Sequence, residues 1–414
     1  MKRVVITGMG VISPLGNTLD EFWNGLISGR CGIDFISKFD ASESKVKIAA
    51  EVKGFDPALY LERGEIRKND LYSQYAMAAA VQAMEASALS IEDPCRLGVY
   101  MGSGIGGMGS FMAEHQKLLS KGMRGVSPFF IPMMIANIAS GNIAIRFNAM
   151  GPNLPVVTAC ATSSHAIGEA FRAIKHGYAD AIIAGGAEAV INPLAVAGFT
   201  NCMALSAKND PAQSSIPFDK RRDGFVMGEG AGAIILEEYE HAQKRNAHIY
   251  AEIKGYGNTS DAYHLTAPHP EAKGAAEAIA LAIGEAGLTG DSAGGFYINA
   301  HGTSTPLNDK AETLAIKTAL GEGAYKVLIS STKSMTGHML GAAGAVEAIA
   351  SIKALEQGVI PPTIGYAEPD ADCDLNYVPN RAQKAELSAA LSLSLGFGGH
   401  NACLAFVKAE EVAK

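Results

Sequence analysis

Charge is what this chain has little of: Asp, Glu, Lys and Arg together make up 18% of its 414 residues, against 48% hydrophobic ones. That balance excludes a disordered chain and points to a compact globular protein with ample length for a large core. No long basic run occurs, and 34 basic against 42 acidic residues leave a formal charge of −8, so nucleic acid is not an expected partner. Cysteine is sparse as well. Six are scattered along the chain with no C-x-x-C pair, which excludes a secreted disulfide scaffold and fits a reducing cytoplasm. Acidic residues are missing altogether between Glu114 and Glu169, and from Gly125 to Ile145 there is no charged side chain of either sign. A stretch that long raises a membrane span, but Pro128, Pro132, Asn137, Ser140, Gly141 and Asn142 make it a poor one, so no span is expected. Burial in a core or a subunit interface is expected instead. Lys2-Arg3 followed by Val4-Val5-Ile6 imitates the start of a signal peptide, but Gly8, Gly10, Pro14 and Gly16 interrupt it, and a first strand with a loop is expected there.

What is present alternates between strand-like and helical patterns. Runs at 3–6, 97–101, 156–159, 181–184, 249–254, 296–299, 327–331 and 390–395 read as strands, and 73–88 and 272–286 as helices, the mark of an α/β protein. The halves also align. Val157–Cys160, a helix and Gly177 are matched by Leu328–Lys333, a helical run from Gly337 and Gly358; Leu97–Gly102 is matched by Gly295–Ala300. Two copies of one unit, 1–250 and 251–414, sharing one body without a linker, are expected.

Cys160 sits where the β-branched run Val156-Val157-Thr158 gives way to a helical one, with Ile167, Ala170, Phe171 and Ile174 at helical spacing after it. A thiol on a first helical turn faces free N–H groups and the positive end of the dipole, which favours thiolate. That effect is worth at most about 2 kcal/mol, roughly 1.5 pKa units, so further help is expected, from histidine. The other cysteines, Cys31, Cys95, Cys202, Cys373 and Cys403, read as buried packing residues.

His301, in Asn299-Ala300-His301-Gly302-Thr303-Ser304-Thr305-Pro306, follows a predicted strand and lies among small residues where a ligand can approach; a histidine capping local backbone would look the same. His338, in Ser331-Thr332-Lys333-Ser334-Met335-Thr336-Gly337-His338, has the same layout. In parallel α/β sheets ligands bind at the carboxyl ends of strands, so the thiol and two imidazoles can converge. Lys333 in an apolar turn needs a partner, and Glu347, Asp309 and Glu312 are candidates for an ion pair. Gly102-Ser103-Gly104-Ile105-Gly106-Gly107 fits a dinucleotide-binding turn, but no carboxylate lies about 20 residues on, so a tight turn beside an apolar cavity is expected. Near the end, Gly396-Phe397-Gly398-Gly399 leaves one aromatic room to swing and exposes backbone N–H groups; a packed glycine-rich turn is the plainer alternative.

Taken together, T-A-C-A, N-A-H-G-T-S-T-P, S-S-T-K-S-M-T-G-H and G-F-G-G resemble the β-ketoacyl-acyl-carrier-protein synthases of fatty-acid synthesis, essentially end to end and most of all the type II condensing enzymes. The resemblance implies an α/β fold of the thiolase kind, five layers α-β-α-β-α from two duplicated halves, in a cytoplasmic homodimer. It implies an acyltransferase that elongates a fatty acyl chain by two carbons in a decarboxylative Claisen condensation with malonyl-acyl-carrier protein. Cys160 would accept the acyl group, His301 and His338 would act on malonyl with Lys333 in support, and Phe397 would gate the site and share an oxyanion hole with Cys160. Thr303, Thr305 and Gly398 would contact the phosphopantetheine arm and substrate, Ile105 the acyl chain, and Arg67, Lys68 and Arg124 the acyl carrier protein. No metal and no cofactor are implied beyond the arm that arrives on the carrier protein. The chain departs from the family at His400, where threonine is common, and at Gly64, Gly125 and Met203, where basic residues occur. Other readings on the same scaffold are a thiolase using Cys403, a type I or polyketide ketosynthase and a non-catalytic chain-length partner; Cys plus His alone also admits a cysteine hydrolase.

Overall fold

Strands Val4–Ile12 (β1), Leu97–Gly102 (β2), Ala181–Glu188 (β3) and Gly230–Glu238 (β4) are buried at every position. Cover on both faces is why they read as continuous apolar and small-residue runs, not as alternations. The computed structural model describes residues 1–409; the last five residues of the second expected unit lie outside the described residues. The second group of strands is Ala251–Ser260 (β5), Phe296–Asn299 (β6), Leu328–Ser330 (β7), Ala389–Gly396 (β8) and His400–Val407 (β9). The nine run in the order β2-β3-β4-β1-β5-β9-β8-β6-β7.

The two groups repeat one topology. β1 pairs antiparallel with β4, β4 antiparallel with β3, and β3 parallel with β2; β5 with β9, β9 with β8, and β8 with β6 follow the same senses. β7 extends the second group in parallel, while its counterpart beside β2 shrinks to one bridge between Val99 and Asn153. The expected strand at 156–159 is therefore an irregular lead into Cys160. Only a short antiparallel seam, Val4–Ile6 against Ala251–Ile253, joins the groups edge to edge.

Helices complete five layers. Leu71–Ser87 (α1), started by the Asp70 side chain accepting the Tyr72 N–H, covers the outer face of the first group. Thr162–Lys175 (α2) and Ala343–Gln357 (α5) lie between the groups and touch both, which is why Ala343 to Leu355 is buried without a break. Lys273–Ala286 (α3) and Pro306–Leu320 (α4) cover the outer face of the second group. β1 does not stop at Gly8 and Gly10, as a loop reading expects, but runs through them. A Cβ on Gly8 or Gly10 would come within 2.2 Å or 2.1 Å of the carbonyl oxygens of Ala83 and Ala79 on α1. On β5, Gly255 and Gly257 meet Ala282 and Ala278 of α3 in the same way, at 2.0 Å and 1.8 Å. Glycine on the strand and alanine on the helix let the backbones touch, once in each half.

The charge-free stretch 125–145 is core only in part: Ala139, Ser140 and Ile143 are buried, as expected, but other residues of it are not. Phe129, Ile131 and Ile145 are exposed in the single chain, as are Met150, Leu154 and Val157 further along it. No helix among the described residues is long and apolar enough to cross a membrane.

Candidate active site

Three turns carry Cys160, His301 and His338, each at the carboxyl side of a strand position. Cys160 stands in the single turn Ala159–Ala161 that feeds α2, and Ala159 before it is held at φ +51°, a left-handed conformation that costs a side-chain-bearing residue about 1 kcal/mol. The surroundings fix that strain: the Thr158 N–H donates to Thr162 Oγ1 at 2.9 Å, and the Thr158 hydroxyl lies 2.7 Å from Nδ1 of the buried His165. His165 stands under the Cys160 turn, with its ring 6.2 Å from that of His400. The end of β8 presses on the same turn, and the next residue, Phe397, gives its backbone N–H to the Cys160 sulfur.

His301 follows β6. Its N–H and that of Gly302 donate to the two oxygens of Glu312 on α4, at 2.6 Å and 2.7 Å. His338 follows the short helix Lys333–Thr336 after β7; its N–H donates to the Val226 carbonyl at 2.7 Å and its own carbonyl accepts from Gly228 at 2.8 Å. The Phe225 ring stands nearly perpendicular to the His338 ring, 5.2 Å away. Of the three carboxylates considered for Lys333, Glu347 pairs with it in the core, Glu312 holds the His301 turn, and Asp309 accepts from Phe218 N–H and faces Arg222.

The hydrogen bonds assign the imidazole tautomers. The Leu340 N–H donates to Nδ1 of His338 at 3.3 Å, so that nitrogen is an acceptor and the proton of the neutral ring is on Nε2, which is buried and has no partner among the described residues. The Lys333 ammonium lies 3.4 Å from Nδ1 of His301 and fixes the same tautomer there. Burial first, and the Lys333 charge second, hold His338 well below the usual histidine range, and the same two causes act on His301. Two neutral rings, 5.3 Å apart and almost perpendicular, therefore offer Nε2–H donors.

The thiol departs from expectation. Burial pushes Cys160 up to about 12, and what pulls against it is the Lys333 charge and the Phe397 N–H, not a histidine. Neutral imidazoles cannot supply the positive charge that a helix dipole leaves lacking. Burial also lifts Glu347 and Glu312 to about 7 each.

One cavity of about 390 Å³ brings Cys160, His301, His338, Thr303, Thr305 and Phe397 to a common wall. The hydroxyls of Thr303 and Thr305 lie 3.0 Å apart. Gly396 and Gly399 line the cavity, whereas Gly398, at φ +88°, is not among its lining residues, nor is Ile105, which is 42% exposed on the turn after β2. Arg67, Lys68 and Arg124 are exposed away from the cavity, with the Lys68 ammonium 5.0 Å over the Phe129 ring. Cys373 and Cys403 are buried as expected of packing residues, but Cys95 and Cys202 are exposed, and Cys202 lines the mouth of the cavity beside Met203. Sequence reasoning passed over Glu188. It is fully buried at the end of β3 and accepts from the N–H groups of Gly104 and Ile105, which explains why the glycine-rich turn is no phosphate cradle: its donors are taken.

Residues 1–242 match the family described as beta-ketoacyl synthase, N-terminal domain, and residues 250–367 match its C-terminal domain. A protein of Synechocystis sp. named 3-oxoacyl-[acyl-carrier-protein] synthase 2 is 52% identical over 98% of both chains. Among solved structures, a beta-ketoacyl synthase from Burkholderia phymatum STM815 superposes with a TM-score of 0.91 at 36% identity, covering 99% of this chain and 100% of the other. A type II polyketide acyl-carrier protein in complex with its ketosynthase bound to the hexaketide gives 0.89 at 33% identity, with the same coverage.

Proposed function

The chain belongs to the β-ketoacyl synthase family, and from that premise we propose that it joins malonyl-acyl-carrier protein to an acyl group held on Cys160, lengthening a fatty acyl chain by two carbons. The observation that carries this reading is the shared cavity: a sulfur that accepts a backbone N–H, and two neutral Nε2–H donors, face one space. Fatty-acid elongation is favoured over polyketide synthesis by the 52% identity to a fatty-acid enzyme against 33% to a polyketide ketosynthase.

In the first half-reaction the Cys160 sulfur attacks the acyl thioester carbonyl, the carrier thiolate leaves, and the proton lost by Cys160 ends on that thiol. Lys333 and the Phe397 N–H favour the attacking anion inside a site that otherwise opposes it. The oxyanion forms beside the N–H groups of Cys160 and Phe397, each contributing roughly 3 kcal/mol in comparable holes. In the second, malonyl loses CO₂, and the electron pair left behind is spread onto the thioester oxygen, where His301 and His338 donate. The carbanion attacks the acyl carbon, the Cys160 sulfur leaves and regains a proton, and the product is a β-ketoacyl thioester. Burial of both rings keeps them neutral, as donors must be here.

Thr303, Thr305 and Gly398 are assigned to the phosphopantetheine arm and substrate, which arrive on the carrier protein with no cofactor of the enzyme's own. Ile105 is assigned to the acyl chain. Arg67, Lys68 and Arg124, exposed and basic, are assigned to carrier-protein docking against an acidic partner. A division at about residue 250 gives one half the nucleophile and the other the histidine pair. The scattered cysteines favour a reducing cytoplasm, and the exposed apolar side chains between Phe129 and Val157 support a homodimer.

Intact-mass measurement of the protein with acyl-carrier proteins of graded chain length, followed by malonyl-carrier protein, tests this directly. A mass gain on Cys160 that is discharged as a carrier-bound β-ketoacyl chain two carbons longer is expected. Discharge as free acid would identify a hydrolase, and no mass gain would identify a non-catalytic partner.

A further inference from the structure

Glu188 has more partners than a spare carboxylate needs. Oε1 accepts from the Ser103 hydroxyl at 2.8 Å and the Ile105 N–H at 3.2 Å; Oε2 accepts from the N–H groups of Gly104 at 2.9 Å and Gly341 at 3.0 Å. All four are donors, so the site suits a carboxylate and not its neutral isostere, whose NH₂ would face N–H groups. Three donors belong to the turn after β2. The fourth belongs to the turn after His338, one residue past Leu340, whose N–H sets the His338 tautomer. The fit between the turns is tight: a Cβ on Gly341 would come within 2.4 Å of Gly104 N and 2.8 Å of Glu188 Oε2.

We propose that Glu188 is a positioning residue for the condensation, pinning the 340–341 peptide against the 103–105 turn so that His338 is held as the Nε2–H donor while the loop bearing Ile105 is fixed to it. The inference rests on the reading of His338 as a donor to the malonyl thioester. It adds that the acyl side and the malonyl side of the cavity are registered through one carboxylate, because no other side chain among the described residues is bonded to both turns. Glu188 has a second, separable effect: with Glu347, and against Lys333, its charge raises the Cys160 thiol. Reach and charge can thus be removed independently.

Glu188→Gln, Glu188→Asp and Ser103→Ala in the full-length protein test this. The readouts are CO₂ release from malonyl-carrier protein, resolved into kcat and KM, and the pH midpoint of Cys160 alkylation by iodoacetamide. Glu188→Gln is expected to lower kcat for CO₂ release by about tenfold or more with KM little changed, the size of one lost hydrogen bond to a charged group, and to move the alkylation midpoint to lower pH. Glu188→Asp retains charge but not reach, so CO₂ release falls while the midpoint stays. Ser103→Ala removes one donor, gives a smaller fall in the same direction, and decides the matter if Glu188→Gln does not fold. Wild-type CO₂ release in both Glu188 variants, or a loss in Glu188→Gln without a midpoint shift and with full activity in Glu188→Asp, overturns the proposal. A wild-type protein that releases no CO₂ overturns the underlying reading and this one with it, whereas active wild type beside unaffected variants overturns this one alone.

Discussion

At the scale of single residues, the division of work between sulfur and imidazoles is the sharpest consequence of the geometry. The histidine donors owe their tautomers to Leu340 and Lys333 and nothing to Cys160. Cys160→Ala is therefore expected to abolish acyl transfer while leaving CO₂ release from malonyl-carrier protein, as measured by intact mass and gas release on the same sample. Lys333 acts on all three groups with one sign: its charge lowers the thiol and both imidazoles, which favours the charged form of the sulfur and the neutral form of the rings. In Lys333→Met the thiol rises, so iodoacetamide alkylation at fixed pH slows. The imidazoles move up toward their ordinary range, so they protonate at higher pH and the acid limb of CO₂ release shifts upward. A limb that stays in place, or moves to lower pH, would contradict the assignment. The convergence of Cys160, His301 and His338 on one cavity was legible because each sits in a small-residue turn between a strand-like and a helical run. Glu188 and His165 were not, because their partners at Gly341 and Thr158 are set by the meeting of chain segments that no local pattern reveals. The rest state of the thiol was misjudged for a related reason: placement at a helix start is visible in a sequence, but the burial that outweighs it is not.

At the scale of elements, duplication made the fold readable and glycine hid part of it. The alignment of Leu97–Gly102 with Gly295–Ala300 reappears as β2 and β6, each parallel to its neighbour. The Gly-x-Gly pairs of β1 and β5, which look like strand breakers, are where α1 and α3 rest on the sheet. A single Cβ there has nowhere to go, since the atoms it meets are helix carbonyls and not the flexible ends of side chains. Gly257→Ala is expected to cost on the order of 3 kcal/mol through forced strand–helix separation, lowering Tm by several degrees, while activity per folded molecule changes less, because β5 contributes nothing to the cavity wall and α3 only Ala275. Differential scanning calorimetry paired with the condensation assay separates these. Loss of turnover at unchanged Tm would show that the β5–α3 contact serves the site instead of the fold.

At the scale of the whole molecule, the charge-free stretch and the exposed apolar surface are one problem. Ile145 is 81% exposed and Met150 65%, with Ile131, Leu154 and Val157 on the same run of chain. Large exposed apolar side chains gathered on one segment mark an interaction surface more often than a free one, and between Gly125 and Ile145 no charge interrupts the segment. A second copy is the partner that this pattern suits, because an interface repeated on both subunits needs self-complementary apolar surface without like charges facing each other. The same segment leads through Val157 to the strained turn of Ala159 and into Cys160. Covering it with a partner would brace the nucleophile as well as hide the surface. If the proposed homodimer forms through this segment, Ile145→Asp, which places an unpaired charge on it, is expected to give a monomer in sedimentation velocity where the wild type is a dimer, and to lower acylation of Cys160. A variant that sediments as wild type would show that this face is not the interface, and a monomer with full acylation would show that the nucleophile's turn stands without it.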